Sequence, residues 1–194
     1  MNNPQTYTEL IALTLAGSRE AYSELYEITI QDVYKTVHFL IGDPFDVDDV
    51  VQEIYIQVHR SLPQFDVSRP FRPWLMGLVI RQIHAYRRKR WTHLRTTKKA
   101  EGYEQGMAYD FTHEVVDKLS NHSLLMNVEH LPYKLKQVVI LHYLSEYSQE
   151  EVANILRIPL GTVKSRIHAA LQKLRHKQKN SILITGKVEN LHES

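Results

Sequence analysis

The chain of 194 residues contains no cysteine. That absence excludes a disulfide framework, a thiolate zinc site and a cysteine nucleophile, and it fits a reducing compartment. No stretch approaches the roughly 18 uninterrupted apolar residues of a membrane span. The first residues, MNNPQTYTEL, lack the basic region of a secretory signal. The expectation is a soluble cytoplasmic protein with no direct membrane insertion. Glycine is scarce, with seven residues, and the sequence holds no P-loop, no Gly-rich phosphate cradle and no Gly-x-Ser-x-Gly elbow. The eleven histidines form neither His-x-His nor His-Glu-x-x-His. No enzyme, cofactor or metal is therefore expected. Three aspartates at Asp46, Asp48 and Asp49 suggest a calcium loop, but Val51 stands where the required glycine would be.

What is present is a segregated charge. The net charge of +2 is a sum over unlike surfaces. Arg81 to Lys99 holds eight basic residues and no acid, and Arg157 to Lys179 holds seven more, again with no acid. The other 152 residues carry 9 bases against 22 acids. Two basic islands on an acidic chain predict two separate contacts with a polyanion. At 43% hydrophobic residues the chain has enough apolar material for a packed core, and its length suits one domain or two small ones.

Helical periodicity runs through the chain, and no segment shows the sustained alternation of a strand. Helices are predicted over Thr6–Ala16 and Ser18–Ile41, with Ser18 as N-cap and Gly42-Asp43-Pro44 as terminator. Asp46 is expected to cap the next helix, whose apolar stripe is Val47, Val50, Val51, Ile54, Tyr55, Val58 and Leu62. A loop from Pro63 to Pro73 leads to a helix over Trp74–Arg90. Residues 92–121 read as a linker with weak periodicity around Phe111–Leu119. The fold class is all-α, as two small helical domains over residues 1–91 and 122–179, with a tail of unassigned role over 180–194.

Three constellations carry chemistry. Ser148-Gln149-Glu150-Glu151 is a capping box opening a short helix that stops near Arg157-Ile158-Pro159. A second helix opens at Gly161-Thr162 and runs to about Lys177, so the pair is a helix-turn-helix. Val163, Ile167, Ala170, Leu171 and Leu174 face inward, leaving Thr162, Lys164, Ser165, Arg166 and His168 outside. Cations suit phosphates and short polar groups suit base edges, although a solvated basic face has the same pattern. In the second constellation Asp49, Gln52 and Glu53 lie opposite the apolar stripe; by themselves they read as ordinary solvated polarity, with docking to a basic protein as the alternative. The third joins Phe65, Phe71 and Trp74 to a helix carrying Arg81, Arg87, Arg88, Lys89 and Arg90. Aromatics beside cations suit single-stranded or distorted DNA, whereas the spacing of Trp74 matches the inward stripe.

These residues carry a resemblance. Asp48-Asp49-Val50-Val51-Gln52-Glu53, then Phe71-Arg72-Pro73-Trp74-Leu75 and the basic helix, resemble conserved region two of bacterial RNA polymerase sigma factors of the extracytoplasmic-function (ECF) group in the sigma-70 family. Leu131-Pro132 followed by Ser148–Arg175, with Gly161-Thr162-Val163-Lys164-Ser165-Arg166, resembles region four. The resemblance implies a factor that binds core RNA polymerase and directs promoter-specific initiation. Asp49, Gln52 and Glu53 would meet the β′ clamp helices, and the β subunit is a further contact. Phe65, Phe71, Arg81, Arg87, Arg88, Lys89 and Arg90 would serve the melted minus-ten element. Lys164, Ser165 and His168 would face base edges of the minus-thirty-five element, with Thr162 and Arg166 on phosphates or in structural roles. An anti-sigma factor is implied as a second protein partner. Arg81, Ala85 and Ala169 depart from residues frequent in the family (Asn, Asp and Arg). The competing function class is a stand-alone helix-turn-helix regulator acting without polymerase, which leaves the aromatic loop, the first basic island and the acidic face unexplained.

Overall fold

The computed structural model describes the backbone of residues 4–97 and 122–189, and side chains within 6–92 and 126–177. Among the described residues there are eight α-helices and no strand. The N-terminal lobe holds α1 (Pro4–Leu15), α2 (Arg19–Ile41), α3 (Val47–Ser61) and α4 (Phe71–Thr97). The C-terminal lobe holds α5 (His122–Glu129), α6 (Tyr133–Val139), α7 (Gln149–Leu156) and α8 (Leu160–Glu189). The fold is all-α, in two helical lobes.

Local chemistry explains most boundaries. Gly17 turns the chain between α1 and α2 at φ 99°, and the Ser18 hydroxyl accepts the Ala21 N–H at 3.1 Å. Gly42 closes α2 in the left-handed region at φ 76°, where a side chain would be strained. The start of α3 differs from expectation. Asp43, not Asp46, is the cap: its carboxylate accepts the Phe45 N–H at 3.1 Å and opens a 3₁₀ turn over Pro44–Asp46. Pro44 pre-sets the helical φ at the first position, which moves the start of the coil three residues upstream. Asp46 is already in the helical region and makes no capping bond.

The loop predicted from Pro63 to Pro73 is shorter at both ends. Leu62–Gln64 form a 3₁₀ turn and α4 begins at Phe71. Pro73 is tolerated there because first-turn amides have no intrahelical acceptor to lose. At its other end α4 continues to Thr97, past the predicted boundary at 91, since extending a formed helix adds a hydrogen bond for each residue ordered. Residues 98–121, including the periodicity at Phe111–Leu119, lie outside the described residues. Likewise α8 continues past Lys177 to Glu189, so the first part of the expected tail is helical, while 190–194 lie outside the described residues.

Burial follows the predicted stripes. Val47, Val50, Val51, Ile54, Tyr55, Val58 and Leu62 are buried against Leu25, Val33, Val37 and Leu40 of α2 and Leu75, Met76, Val79, Ile80 and Ile83 of α4. In the C-terminal lobe Val152 and Ile155 of α7 pack with Val163 and Ile167 of α8, whereas Ala153, Leu156 and Leu171 are half-buried. The two lobes pack on each other: α7 lies against α4, and Val138, Ile140, Leu141, Tyr147 and Val152 belong to the same apolar cluster as the N-terminal core.

Candidate nucleic-acid interface

The helix-turn-helix is built from α7 and α8. Ser148 Oγ accepts the Glu151 N–H at 3.1 Å, and the Glu151 carboxylate accepts the Ser148 N–H at 2.8 Å. Two amide donors with no helical partner are thereby satisfied. Arg157 ends α7 in the left-handed region at φ 52°, and Pro159 accepts the N–H groups of Thr162 and Val163 at 2.9 and 3.2 Å. The buried face of α8 is Val163, Ile167, Ala170 and Leu174. Its opposite face presents Lys164, Ser165 and His168 exposed, with Thr162, Arg166 and Ala169 half-buried beside them. The Ser165 hydroxyl donates to the Thr162 carbonyl at 3.0 Å. A cationic helix N-terminus with short polar groups faces outward, the geometry a major groove receives.

The basic island that starts at Arg81 is sorted by its neighbours. Arg88 and Lys89 are exposed on α4, and neither side chain has an ion pair or hydrogen bond among the described residues. Arg81 is exposed too, with Nε donating back to the Gly77 carbonyl at 3.3 Å. Arg90 donates to Asp43 at 2.7 Å, to Asp46 at 3.4 Å and to the Tyr86 hydroxyl at 2.8 Å. Tyr86 in turn donates to Asp46, and burial pushes its own pKa up to about 12. Arg87 donates to the Leu40 carbonyl at 3.1 Å and lies 3.8 Å from the ring centre of Tyr133 in the C-terminal lobe.

The aromatic residues lie beneath the loop. Phe65 and Phe71 are 9% and 5% exposed, and their rings sit 5.6 Å apart with Trp74 at 4.8 and 5.6 Å and Tyr7 at 5.3 Å from Phe71. Above them Asp66, Val67, Ser68, Arg69 and Pro70 are exposed. Asp66 accepts from both the N–H and hydroxyl of Ser68, at 3.0 and 2.6 Å, and these bonds hold its carboxyl below the usual carboxylate range.

Asp49, Gln52 and Glu53 are exposed on one face of α3. Beside them runs an open groove of about 520 Å³ between α2 and α3, lined by Tyr22, Tyr26, Gln52, Tyr55, Ile56, His59 and Arg60. The Tyr22 hydroxyl donates to the Tyr55 carbonyl at 2.6 Å, and Tyr26 stacks edge-on with Tyr55 at 4.5 Å. The groove is absent from the sequence reading. Its one local signal is Ile56, an apolar residue off the α3 stripe and 45% exposed. Among the described residues no His, Asp and Glu side chains converge as a metal site, and no described helix is long and apolar enough to cross a membrane.

Comparison with known proteins agrees with this geometry. The family model for Sigma-70 region 2 matches residues 25–93, and that for Sigma-70, region 4 matches residues 122–174. The chain is 29% identical over 167 residues to the ECF RNA polymerase sigma factor SigW of Bacillus subtilis, covering 82% of this chain and 89% of that protein. It is 31% identical over 148 residues to the ECF RNA polymerase sigma-E factor of Escherichia coli K12, covering 68% and 73%. The fold is shared with CnrH, solved in complex with the cytosolic domain of CnrY (TM-score 0.65, 21% identity, covering 92% and 99%). It is shared equally with the sigma factor RpoE of Bartonella quintana, solved with the anti-sigma factor NepR (TM-score 0.66, 18% identity, covering 81% and 96%). With both conserved regions matched in order and a relative aligned over most of its length, the chain belongs to the extracytoplasmic-function group of the sigma-70 family of RNA polymerase sigma factors.

Proposed function

We propose that this sigma factor directs core RNA polymerase to promoters through three separate faces. The exposed Asp49, Gln52 and Glu53, with the adjoining groove at Tyr22, Tyr26 and Ile56, dock on the β′ clamp helices, and the C-terminal lobe meets the β subunit. Arg81, Arg88 and Lys89 hold the backbone of the melted minus-ten element, while Phe65 and Phe71 anchor the loop that takes a base out of the stack. Lys164, Ser165 and His168 read the minus-thirty-five duplex, with Thr162 and Arg166 on phosphates. Phosphate contacts supply salt-dependent affinity, and each good bidentate base contact adds about 1–3 kcal/mol of discrimination. The chain needs no catalytic chemistry of its own, since the polymerase makes the RNA, and it works where the polymerase does, in the cytoplasm. An anti-sigma factor is its second protein partner, as it is for the Bartonella protein of the same fold.

The observation that carries this reading is the pairing of an acidic and a cationic face in the region-two lobe with a separate helix-turn-helix in the region-four lobe. A stand-alone helix-turn-helix regulator is not favoured, because residues 25–93 match a region that such regulators do not need. Run-off transcription with purified core polymerase over a promoter library tests the proposal. Initiation should depend on this chain and be lost in Lys164→Ala at promoters selected by the wild type. A folded chain that initiates at no sequence refutes it.

A further inference from the structure

The second half of α4 is held by polar groups more than by the core. Ile83 is its last buried residue among the described ones; Tyr86 and Arg87 are half-buried, and Arg88, Lys89, Arg90, Trp91 and Thr92 are exposed. Arg88 and Lys89, assigned above to the melted strand, therefore stand on a helix segment with little apolar support. Its polar support comes from the end of α2 and the turn that follows. Arg87 donates at 3.1 Å to the Leu40 carbonyl, in the last turn of α2, where carbonyls lack a helical partner. Nη1 of Arg90 donates to Asp43 at 2.7 Å, to Asp46 at 3.4 Å and to the Tyr86 hydroxyl at 2.8 Å. Tyr86 donates its own proton to Asp46.

The same carboxylates shape the start of α3. Oδ1 of Asp43 accepts the Phe45 N–H at 3.1 Å while Oδ2 holds Arg90, so one side chain both caps the 3₁₀ turn and grips α4. Asp46 immediately precedes α3, and Asp49, three residues on, belongs to the polymerase-docking face. Tyr86 and Arg90, four residues apart, share one face of α4. Arg88, midway between them, points about 200° away at roughly 100° per residue. Pinning Tyr86 and Arg90 to the turn thus aims Arg88 outward, and Arg81, seven residues earlier, lies on the same outward side. Exposed ion pairs add little stability. What this network adds is a fixed direction for the DNA-facing cations.

We propose that Asp43, Asp46, Tyr86 and Arg90 are positioning residues for promoter binding: they set the half of α4 that carries Arg88 and Lys89 at one orientation to the start of α3. The melted strand then meets cations already placed relative to the polymerase, and the ordering cost of binding is lowered. The proposal rests on the sigma-factor function above and adds four residues, none of which touches DNA or polymerase.

The test uses the full chain bound to core polymerase, titrated with a forked promoter fragment single-stranded at minus ten. Tyr86→Phe removes only the hydroxyl and keeps the ring. It should weaken binding by about three- to tenfold, the ordering cost of about one side chain. The loss should be the same at every salt concentration from about 50 to 200 mM, because no phosphate contact is removed. Affinity of the variant for core alone should match the wild type. Arg90→Ala should act likewise, and the double variant should lose little more than the worse single one, since the groups work as a unit. Unchanged affinity for the fragment in both single variants overturns the proposal, leaving a tie that serves the fold alone. A fall in the salt slope of Arg90→Ala overturns it by making Arg90 a phosphate contact, and an equal loss of core affinity in Tyr86→Phe overturns it by making the effect general. Wild-type holoenzyme that does not bind the fragment would instead refute the sigma-factor function, so the two failures are distinguishable.

Discussion

The sorting of cations on α4 can be tested by charge removal. Arg81, Arg88 and Lys89 are exposed, whereas Arg90 is held by Asp43, Asp46 and Tyr86. Each phosphate contact on a single strand contributes about 0.7 to the slope of log affinity against log salt. Replacing Arg81, Arg88 and Lys89 together by alanine should lower that slope by about 2. A fourfold rise in salt weakens each such contact by about 2.6-fold and three of them by about 18-fold, so the variant should lose most of the salt sensitivity that those contacts supply. The assay is fluorescence titration of holoenzyme with a forked promoter fragment single-stranded at minus ten, from about 50 to 200 mM salt. Arg90→Ala should leave the slope unchanged and cost only the small worth of exposed ion pairs, about 0–1 kcal/mol, where α4 meets the turn between α2 and α3. A triple variant with the wild-type slope, or an Arg90→Ala slope that falls as far as that of Arg88→Ala, refutes the assignment.

Ser148→Ala removes one half of the capping box and should destabilise the chain by about 1 kcal/mol in urea unfolding. Adding Glu151→Ala should cost less than its single effect, because the two bonds are coupled. Gly42→Ala, at φ 76° with open space around the added carbon, should cost about 1–2 kcal/mol from backbone strain alone. Gly77→Ala, in mid-α4 with equally open space, should instead stabilise by about 0.4–1 kcal/mol; thermal unfolding of the pair must show opposite signs. Burial first and Arg87 second hold His84 below its ordinary 6.5, and burial does the same to His38 against the pull of Glu129. Protons therefore bind more readily to the unfolded chain. The stability these two groups contribute is fully present above about pH 6.5 and is lost as pH falls through the depressed values. Stability in urea unfolding should fall between about pH 7.5 and 5.5, less so in His84→Gln. A wild-type stability that stays constant over that range would contradict the role of His84.

Features set by neighbours in sequence were legible, and features set by distant partners were not. The α3 stripe, the Ser18 cap and the Ser148–Glu151 box are interactions within one or two turns, so residue spacing announces them. Asp46 shows how a local reading fails: Pro44 hands the cap to Asp43, and the freed carboxylate accepts from Tyr86 and Arg90, 40 and 44 residues away. Phe65 and Phe71 stand beside the cations in sequence, and only the packing of α1 on α4 puts their rings in a buried cluster with Tyr7 and Trp74. The groove at Tyr22, Tyr26 and Ile56 exists only because α2 and α3 pack side by side.

The sequence by itself determined the helices, the two charge islands and the outward face of α8, because periodicity, capping and charge are properties of residues and their near neighbours. Only the tertiary structure decided which cations are available, where the aromatic side chains go and that the two lobes close on each other. Availability depends on what packs against a side chain, and for Arg90, Arg87 and Thr36 those partners come from 44 to 109 residues away.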